Sequence, residues 1–333
     1  MGNNGLVPTP VATPLDELDR KIVAAMQVDG RVSWRRIAEV LDEPERTITR
    51  RGTDLLAKRL IQISSLDGHN AAVMVRAECA VGAVRSTATA LAQRPDCVFA
   101  YALTGRVDCV AEIRVSTANL PRLVLDELPA TIGLARAHAD PVLRILRSVR
   151  QWRPPILTPA QIAALEAPPF GLQQPDGSEP EPLTPTDRAI TQVLRRDGRA
   201  STTEIARGAG ISESTARRRL EWLLVNRRVW SRAVVEPALL GFPFEAMIWV
   251  RVLPGRLDTF VKHVLAEPRV RQMSALAGEY DLAINVAVAD QASLYELIDT
   301  APWRQMVQSR QISVILEAMK RSGVRLPLGA HAT

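Results

Sequence analysis

The most constraining feature of this sequence is that it repeats itself. Leu-Asp-Arg-Lys-Ile at 18–22 returns as Thr-Asp-Arg-Ala-Ile at 186–190, and Asp-Gly-Arg at 29–31 returns at 197–199, both with an offset of 168 residues. A chain of 333 residues is long enough for two to four domains. The repeat therefore predicts two copies of one unit within a single chain.

A second pair of matching segments lies further along each copy. Thr-Gly-Arg-Val-Asp at 104–108 returns as Ala-Gly-Glu-Tyr-Asp at 277–281, now with an offset of 173. Each copy carries the same two modules in the same order, so the chain is predicted to be a fused dimer. The connecting segment Val-Glu-Pro-Ala-Leu-Leu-Gly at 235–241 is absent from the first copy and accounts for the change in offset.

The first module of each copy has the periodicity and cap residues of short helices. In the first copy, a first helix is predicted to end at Asp29-Gly30, because glycine readily adopts a positive φ. Ser33 and Ser201 are expected to cap a second helix in their respective copies. A third helix follows near Glu45 and after Ser212. Three short helices in about 45 residues form a helix-turn-helix pattern.

Charge is concentrated in the second of these modules. The whole chain has a formal net charge of +6, which by itself fits many soluble proteins. From Arg188 to Arg232, however, eleven arginines face only four acidic residues. That excess predicts a surface that binds phosphate groups.

After each three-helix module the apolar period changes from 3.6 to 2, which predicts strands. The order of elements is βαββαβ in both copies, typical of a ferredoxin-like domain. Its fourth strand is expected at a sheet edge, where Pro141 would be tolerated because edge strands leave N–H groups unpaired.

The predicted fold class is therefore α+β, with two copies of a winged-type helix-turn-helix followed by a ferredoxin-like βαββαβ domain. Thr158-Pro159 is expected to start one short helix inside the Pro-rich segment that joins the copies. The predicted regions are a disordered leader (1–14), a first helix-turn-helix (15–63), a first ferredoxin-like domain (70–150), a Pro-rich linker (151–182), a second helix-turn-helix (183–232) and a second ferredoxin-like domain (241–325).

These modules resemble the Lrp/AsnC family, the feast/famine transcription regulators. The resemblance rests on the repeated motifs above, on Ile-Ser-Glu-Ser-Thr-Ala-Arg-Arg-Arg at 211–219, on the connector at 235–241 and on Gly-Glu-Tyr-Asp at 278–281. It covers everything except leader, linker and tail. Family members usually carry one unit and dimerise through their ferredoxin-like domains. The resemblance implies an intramolecular pseudo-dimer that binds double-stranded DNA and can assemble further.

In the family the third helix of the helix-turn-helix enters the major groove. By position this implies a set of DNA-binding candidates in both copies, although three consecutive arginines cannot all face one surface. The alternatives are a solvated basic face and, for Ser212, a purely structural cap. The candidates are Ser212, Ser214, Thr215, Arg217, Arg218 and Arg219 in the second copy and Thr47, Thr49, Arg50 and Arg51 in the first.

The first copy departs from the pattern at its third helix. Thr49 stands where the second copy has Arg217, and Gly52 replaces Leu220. A glycine within a helix costs about 1 kcal/mol relative to alanine and removes a packing side chain. The first helix-turn-helix is therefore expected to be less rigid and to bind DNA more weakly.

The resemblance also implies a small-molecule effector, usually an amino acid, near the Gly-x-x-Asp hairpin. The candidate effector-binding residues are Gly105, Asp108, Gly278, Glu279, Tyr280 and Asp281. Glycine lets a ligand approach the backbone, and an aspartate can receive an ammonium group. The alternative is that the glycines form turns and the aspartates cap them.

The sequence offers little support for other chemistry. The three cysteines and four histidines lack metal-ligand spacing, and no catalytic motif is present, so no metal, cofactor or enzymatic activity is expected. With no signal peptide and no membrane segment, the protein is expected in the cytoplasm. Two alternatives remain: an enzyme similar to sirohaem decarboxylases, and a metabolite-binding partner protein that does not touch DNA.

Overall fold

The computed structural model describes residues 15–67, 71–166, 183–226, 228–299 and 302–326. The predicted leader at 1–14 and the linker residues 167–182 lie outside the described residues. The two predicted helix-turn-helix modules and the two ferredoxin-like domains are all present. We call them the first and second head and the first and second body.

Each head contains three helices around its own apolar core. In both heads a serine caps the second helix: Ser33 Oγ accepts the Arg36 N–H at 3.1 Å, and Ser201 Oγ accepts the Glu204 N–H at 3.2 Å. The helices are α1 (Glu17–Val28), α2 (Trp34–Leu41) and α3 (Glu45–Ala57) in the first head, and α7 (Pro185–Arg196), α8 (Thr202–Ala209) and α9 (Glu213–Val225) in the second.

Each body has the predicted βαββαβ order, and its helices cover one face of its sheet. The first body contains β2 (Ala72–Cys79), α4 (Val84–Gln93), β3 (Cys97–Leu103), β4 (Cys109–Arg114), α5 (Leu120–Arg122) continued by a π-helical turn (Leu123–Glu127), and β5 (Leu134–Arg147). The second contains β7 (Phe244–Val252), α10 (Leu257–Ala266), β8 (Val270–Leu276), β9 (Leu282–Val288), α11 (Gln291–Asp299) and β10 (Val307–Arg321), which is followed by β11 (Val324–Arg325).

The two bodies close into one ring of eight strands because their last strands are shared. β5 pairs with β2 as far as Pro141 and then with β8 from Val142. β10 makes the reciprocal exchange: it pairs with β7 of its own body as far as Val314 and with β3 of the first body from Ile315. The inner faces of the two sheets pack on each other through a common apolar cluster. The bodies therefore form one folding unit.

The expectation that the fourth strand lies at a sheet edge is wrong. β5 lies between β2 and β8 in the strand order of the ring and pairs with each along a different part of its length. Pro141 lies instead at the position where β5 changes partner, and its carbonyl oxygen accepts the Ala277 N–H at 2.9 Å. A residue without an N–H fits there because the ladder is interrupted at that point.

A two-stranded ribbon between the heads was not predicted from the sequence. β1 (Ile61–Asp67) and β6 (Val229–Val235) follow the heads and pair antiparallel. Ser64 lies opposite Arg232, and these two residues are also equivalent by the repeat offset. The pseudo-twofold relation between the copies therefore passes through the middle of this ribbon.

The repeated Asp-Gly-Arg motif fastens each head to the other copy. Arg31 donates to the carbonyl oxygens of Gly198 and Ala200 at 2.7 and 3.1 Å. Arg199 donates to those of Gly30 and Val32 at 3.0 and 3.1 Å. We call this pair of contacts the arginine clasp.

The glycine of the motif is required for a reason that differs from the predicted positive φ. Gly30 has no positive φ. A Cβ at this position would lie 2.7 Å from the backbone of Ser231 and Arg232 in β6. Gly30 therefore permits the close approach of the first head to the ribbon.

The Pro-rich linker is more ordered than predicted over its described part. The expected short helix is confirmed as α6 (Pro159–Leu165), capped by Thr158. Trp152, Leu157 and Leu165 are buried in the core of the first head. The first part of the segment assigned as linker is thus an integral part of the fold.

The expected packing defect at Gly52 is also wrong. A Cβ at this position would lie 2.3 Å from the ring of Trp34, so the ring occupies the space of the missing side chain. In the second head the equivalent pair is Leu220 and Thr202. The first head fills this volume with Trp34 from its second helix, and the second head fills it with Leu220 from its third helix. Gly52 therefore lowers the helix propensity of α3 but leaves no void.

This exchange predicts a stability coupling between positions 34 and 52. Gly52→Leu should cost about 1–3 kcal/mol by overpacking, and Trp34→Thr about 2 kcal/mol by leaving a cavity. The double variant has the residue pair of the second head, and its loss of unfolding free energy should be smaller by at least about 1 kcal/mol than the sum of the two single losses. Urea unfolding followed by circular dichroism measures all four proteins; strictly additive costs would contradict this packing.

Candidate nucleic-acid interface and ligand-binding hairpins

The second head presents the start of α9 to solvent. Ser212 caps this helix, its Oγ accepting the Thr215 N–H at 3.2 Å, so the structural role considered for this serine is present. Ser214, Arg217 and Arg218 are exposed. Within the described residues neither arginine makes an ion pair.

Arg219, the third arginine of the run, points the other way. Its guanidinium binds the buried carboxylate of Asp187 on α7 with two hydrogen bonds of 2.8 and 2.6 Å. Burial acts to raise the pKa of Asp187, but hydrogen bonds from Arg219 and Thr184 outweigh it and hold this pKa below its usual value. Arg219 thus fixes α9 against α7, which leaves Arg217 and Arg218 as the outward cations.

The first head repeats this inner contact. Arg51, the equivalent of Arg219, lies 2.9 Å from Asp19 and 2.5 Å from Asp16. Both heads therefore use the last predicted DNA-binding arginine to join the first and third helices. The sequence signal was available, since Asp19 and Asp187 occupy the same place in the repeat.

The outer face of α3 places its charges differently from that of α9, with the exposed Arg46 at the position of Ser214 and Thr49 at that of Arg217. Thr47 and Thr49 are half-buried, and the exposed Arg50 lies 3.9 Å from Asp54 on the same helix. Pro44 precedes α3 and provides no side-chain cap. The two heads share a fold but present different chemistry.

The Gly-x-x-Asp hairpins lie where the two copies join. In the first hairpin, Thr104 N–H donates to Val314 O at 2.9 Å; in the second, Ala277 N–H donates to Pro141 O at 2.9 Å. Val314 and Pro141 are the partner-change positions of β10 and β5. Each hairpin therefore hydrogen-bonds to the long shared strand of the other copy.

The aspartates of both hairpins accept backbone hydrogen bonds. Asp108 Oδ2 accepts the Cys79 N–H, and Asp281 Oδ2 accepts the Val252 N–H, each at 2.7 Å. This is the capping geometry that the sequence left open as an alternative. Gly105 has φ +98°, as expected for a turn.

Gly278 has no room for a side chain, because it lies against a cluster of charged residues. A Cβ here would lie 2.1 Å from Asp140 Oδ1. The buried Arg76 donates to Asp140 at 3.0 Å and to Glu279 at 3.3 Å. Arg76 also lies 5.0 Å from the Tyr280 ring centroid, within cation–π range. The second hairpin therefore combines a buried cation, two carboxylates and an aromatic ring.

The three charged positions of this cluster are occupied by different residues at the first hairpin. Trp249, Ser313 and Arg106 stand where the second hairpin has Arg76, Asp140 and Glu279. Arg106 lies 3.9 Å from Glu78, whereas at the second hairpin Arg251 donates to the Glu279 carbonyl at 2.6 Å. A ligand would meet two unlike sites.

The described residues were also searched for metal-binding clusters, membrane-spanning helices and reactive cysteines or histidines. They contain no cluster of three metal-ligating side chains and no helix long and apolar enough to cross a membrane. The thiols of Cys79 and Cys109 lie 3.6 Å apart as free cysteines, and burial raises the pKa of Cys97 to about 12. His69 and His331 fall outside the described residues.

Comparison with protein families identifies both kinds of domain. Residues 15–55 and 183–224 match the AsnC-type helix-turn-helix domain. Residues 245–324 match the Lrp/AsnC ligand binding domain. The helix-turn-helix match thus falls on both heads and the ligand-binding match on the second body.

Similar proteins include transcription regulators of Pyrococcus horikoshii. The HTH-type transcriptional regulator FL11 is 24% identical over 148 residues, covering 44% of this chain and 97% of the relative. The uncharacterized HTH-type transcriptional regulator PH0140 is 31% identical over 117 residues, covering 35% and 74%.

A solved structure resembles nearly the whole chain. The siroheme decarboxylase NirDL, in complex with an iron-uroporphyrin III analogue, superposes with a TM-score of 0.60 at 13% identity over 95% of this chain and 96% of its own. At this identity the likeness shows a shared fold, namely the tandem arrangement.

The inner and outer arginines of α9 should differ in their effect on stability. Arg219→Ala leaves the buried Asp187 carboxylate uncompensated and should cost about 3 kcal/mol at neutral pH, whereas exposed Arg218→Ala should stay within about 0.5 kcal/mol. Because the pKa of Asp187 is lowered in the folded state, this contribution should persist down to about pH 4 and be lost below it. Chemical unfolding at several pH values measures both variants; equal costs would contradict the assignment.

Proposed function

Because the chain belongs to the Lrp/AsnC family of transcription regulators, we propose that its second head makes the dominant sequence-specific contact with DNA. Arg217 and Arg218 are exposed on α9 without an ion pair in the described residues, and this observation carries the proposal. Arginine can bind a guanine edge with two hydrogen bonds or hold a phosphate. Ser214 and Thr215 at the helix start suit phosphate contacts.

The first head contributes a different and weaker contact in this proposal. Thr49 offers a hydroxyl where Arg217 offers a guanidinium, and Asp42 and Glu43 add negative charge beside α3. The arginine clasp and the ribbon hold the two heads together. The chain therefore suits a DNA site with one strong half and one unlike half.

The ligand-binding domain implies a small-molecule effector, which we place at the second hairpin. The Glu279 carboxylate is half-exposed, and the exposed Arg251 donates to the Glu279 carbonyl, so a carboxylate and a guanidinium lie side by side at the surface. An amino acid carries the complementary ammonium and carboxylate groups. Asp281, whose Oδ2 is held by a backbone N–H, would act by fixing the hairpin. Asp108 and Gly105 would serve the first hairpin in the same way.

We infer a regulator rather than an enzyme. The likeness to a siroheme decarboxylase favours the alternative, but it concerns the fold. The curated relatives described above are named transcription regulators. Incubation with sirohaem should accordingly give no decarboxylated product.

DNA binding should depend on α9 more than on α3. Arg217→Ala with Arg218→Ala should weaken binding of a random-sequence duplex pool at least tenfold and reduce the slope of log affinity against log salt by up to about 2. Thr49→Ala with Arg50→Ala, the equivalent positions of the first head, is the matched control and should have a smaller effect. Fluorescence anisotropy at several salt concentrations makes the comparison. Unchanged binding by the α9 variant would refute the proposal.

The effector assignment can be checked without DNA. Among the protein amino acids added singly, at least one should raise the melting temperature of the full chain by about 2–4 °C. Glu279→Gln should abolish that shift, while Arg106→Gln at the first hairpin should preserve it. A shift that survives Glu279→Gln, or no shift with any amino acid, would count against this site.

A further inference from the structure

Two of the three cysteines of the chain lie side by side in the first body. Cys79 is the last residue of β2, Cys109 is the first residue of β4, and their Sγ atoms are 3.6 Å apart. Both thiols are free. A disulfide bond is about 2.05 Å long, so the two sulfur atoms need to approach by only about 1.5 Å to form one.

The sheet itself positions this pair. β2 and β4 are neighbouring antiparallel strands, and Cys109 lies opposite Ala77. Cys79 follows Ala77 by two residues, so its side chain points to the same side of the sheet. The Cys79 N–H also donates to Oδ2 of Asp108, the residue before Cys109, at 2.7 Å. The two cysteines are therefore held together by strand pairing and by a side-chain hydrogen bond.

The two thiols differ in their access to solvent. Cys79 is half-buried, whereas Cys109 is fully buried and donates to the Val84 carbonyl oxygen at the start of α4 at 3.5 Å. Burial raises the pKa of the Cys109 thiol, and the nearby Cys79 and Asp108 raise it further. An accessible cysteine beside a second thiol is a typical site of reversible oxidation. A small oxidant from solvent can reach Cys79 directly, which leaves Cys109 as the second reactant.

The third cysteine lacks these features. Cys97 is buried, and its thiol donates to the Phe99 carbonyl oxygen at 3.1 Å. Its position on β3 lies opposite Ile113 of β4. Ile113 is four residues along β4 from Cys109, a separation of about 13 Å. Cys97 therefore serves as an internal control for the reactivity of the other two.

The second body has the same fold without sulfur at these positions. By the repeat offset of 173, Val252 and Leu282 stand where the first body has Cys79 and Cys109. Both are buried. Aliphatic side chains thus suffice for packing at this place in the fold, and the thiols add a reactivity that only one copy possesses.

We propose that Cys79 and Cys109 form a site of reversible oxidation, at which hydrogen peroxide converts the two thiols into an intramolecular disulfide. The Cys79 sulfur attacks a peroxide oxygen, the O–O bond breaks, and Cys79 becomes a sulfenic acid while the leaving hydroxide takes up the thiol proton as water. The Cys109 sulfur then attacks the Cys79 sulfur, so that the S–O bond breaks and the S–S bond forms. The displaced hydroxide leaves with the Cys109 proton as a second water.

The disulfide would lie at the base of the first hairpin. Asp108 belongs to this hairpin and holds the Cys79 N–H, so the new bond would reinforce a contact already present between the reduced thiols. The second hairpin would be unaffected, because Val252 and Leu282 cannot be cross-linked. A dithiol reductant would reopen the bond by thiol–disulfide exchange. This site does not depend on the proposed contacts with DNA or with an effector.

Peroxide treatment of the full chain tests the site. The reduced protein, freed of reductant, is exposed to a small molar excess of hydrogen peroxide, denatured and alkylated with iodoacetamide, and its peptides are mapped by mass spectrometry. We expect a disulfide between Cys79 and Cys109 within one chain and an alkylated Cys97. Dithiothreitol added before alkylation should restore all three alkylated thiols.

Single substitutions separate the roles of the two cysteines. Cys109→Ala should prevent the disulfide and leave a sulfenic acid at Cys79 that dimedone traps. Cys79→Ala should leave Cys109 unreactive towards both peroxide and dimedone. Cys97→Ala is the matched control and should change the rate of disulfide formation less than twofold. Circular dichroism checks the fold of each variant, and mapping of the unsubstituted chain decides the proposal even where a variant fails to fold.

Three outcomes would overturn the proposal. They are three free thiols after peroxide treatment, a disulfide that includes Cys97 or joins two chains, and oxidation of Cys79 to a sulfinic acid with Cys109 left free. Since neither DNA nor effector is present, failure of the proposed function would leave this result unaffected.

Discussion

The exchange of partners along two long strands determines the rest of the architecture. β5 and β10 each begin in one sheet and end in the other, so neither body has a complete set of hydrogen bonds without its neighbour. Unpaired strand edges are costly when buried and prone to aggregation when exposed. Ring closure removes those edges. The ribbon and the arginine clasp separately join the two heads to each other.

Fusion releases the two copies from the identity that a homodimer imposes. The first head packs Trp34 against Gly52, where the second head has Thr202 and Leu220. The charged cluster around Arg76 has no equivalent at the first hairpin. Trp152 of the linker fills one head–body cleft, and a cavity of about 790 Å³ occupies the other. In the heads and at the hairpins the backbone repeats while the side chains differ, whereas the linker lies in only one of the two clefts. The molecule is therefore symmetric in fold and asymmetric in the surfaces it offers to DNA and to ligands.

The sequence predicted the parts of this fold that depend on local patterns. Helical periodicity, the caps Ser33 and Ser201 and the hairpin glycines identified the modules and their order. The sheet-edge position of β5 was wrong because strand partners are non-local, and the role of Gly52 was misjudged because its compensation lies on another helix. The exposed arginine surface of α9 could be located from the sequence repeat and from the excess of arginine between 188 and 232. Asp187 and Asp19 recur at the same place in the repeat, but the choice of Arg219 as the inward arginine depends on how α9 packs on α7.

The central claim is that one chain presents two unlike DNA-reading heads in a fixed pseudo-dimer. Selection of bound sequences from a pool of random duplexes, with the full chain, tests it most directly. The account predicts a non-palindromic consensus with one strongly specified half-site and a second that is weaker and different. A symmetric palindrome with two equally specified halves would contradict it.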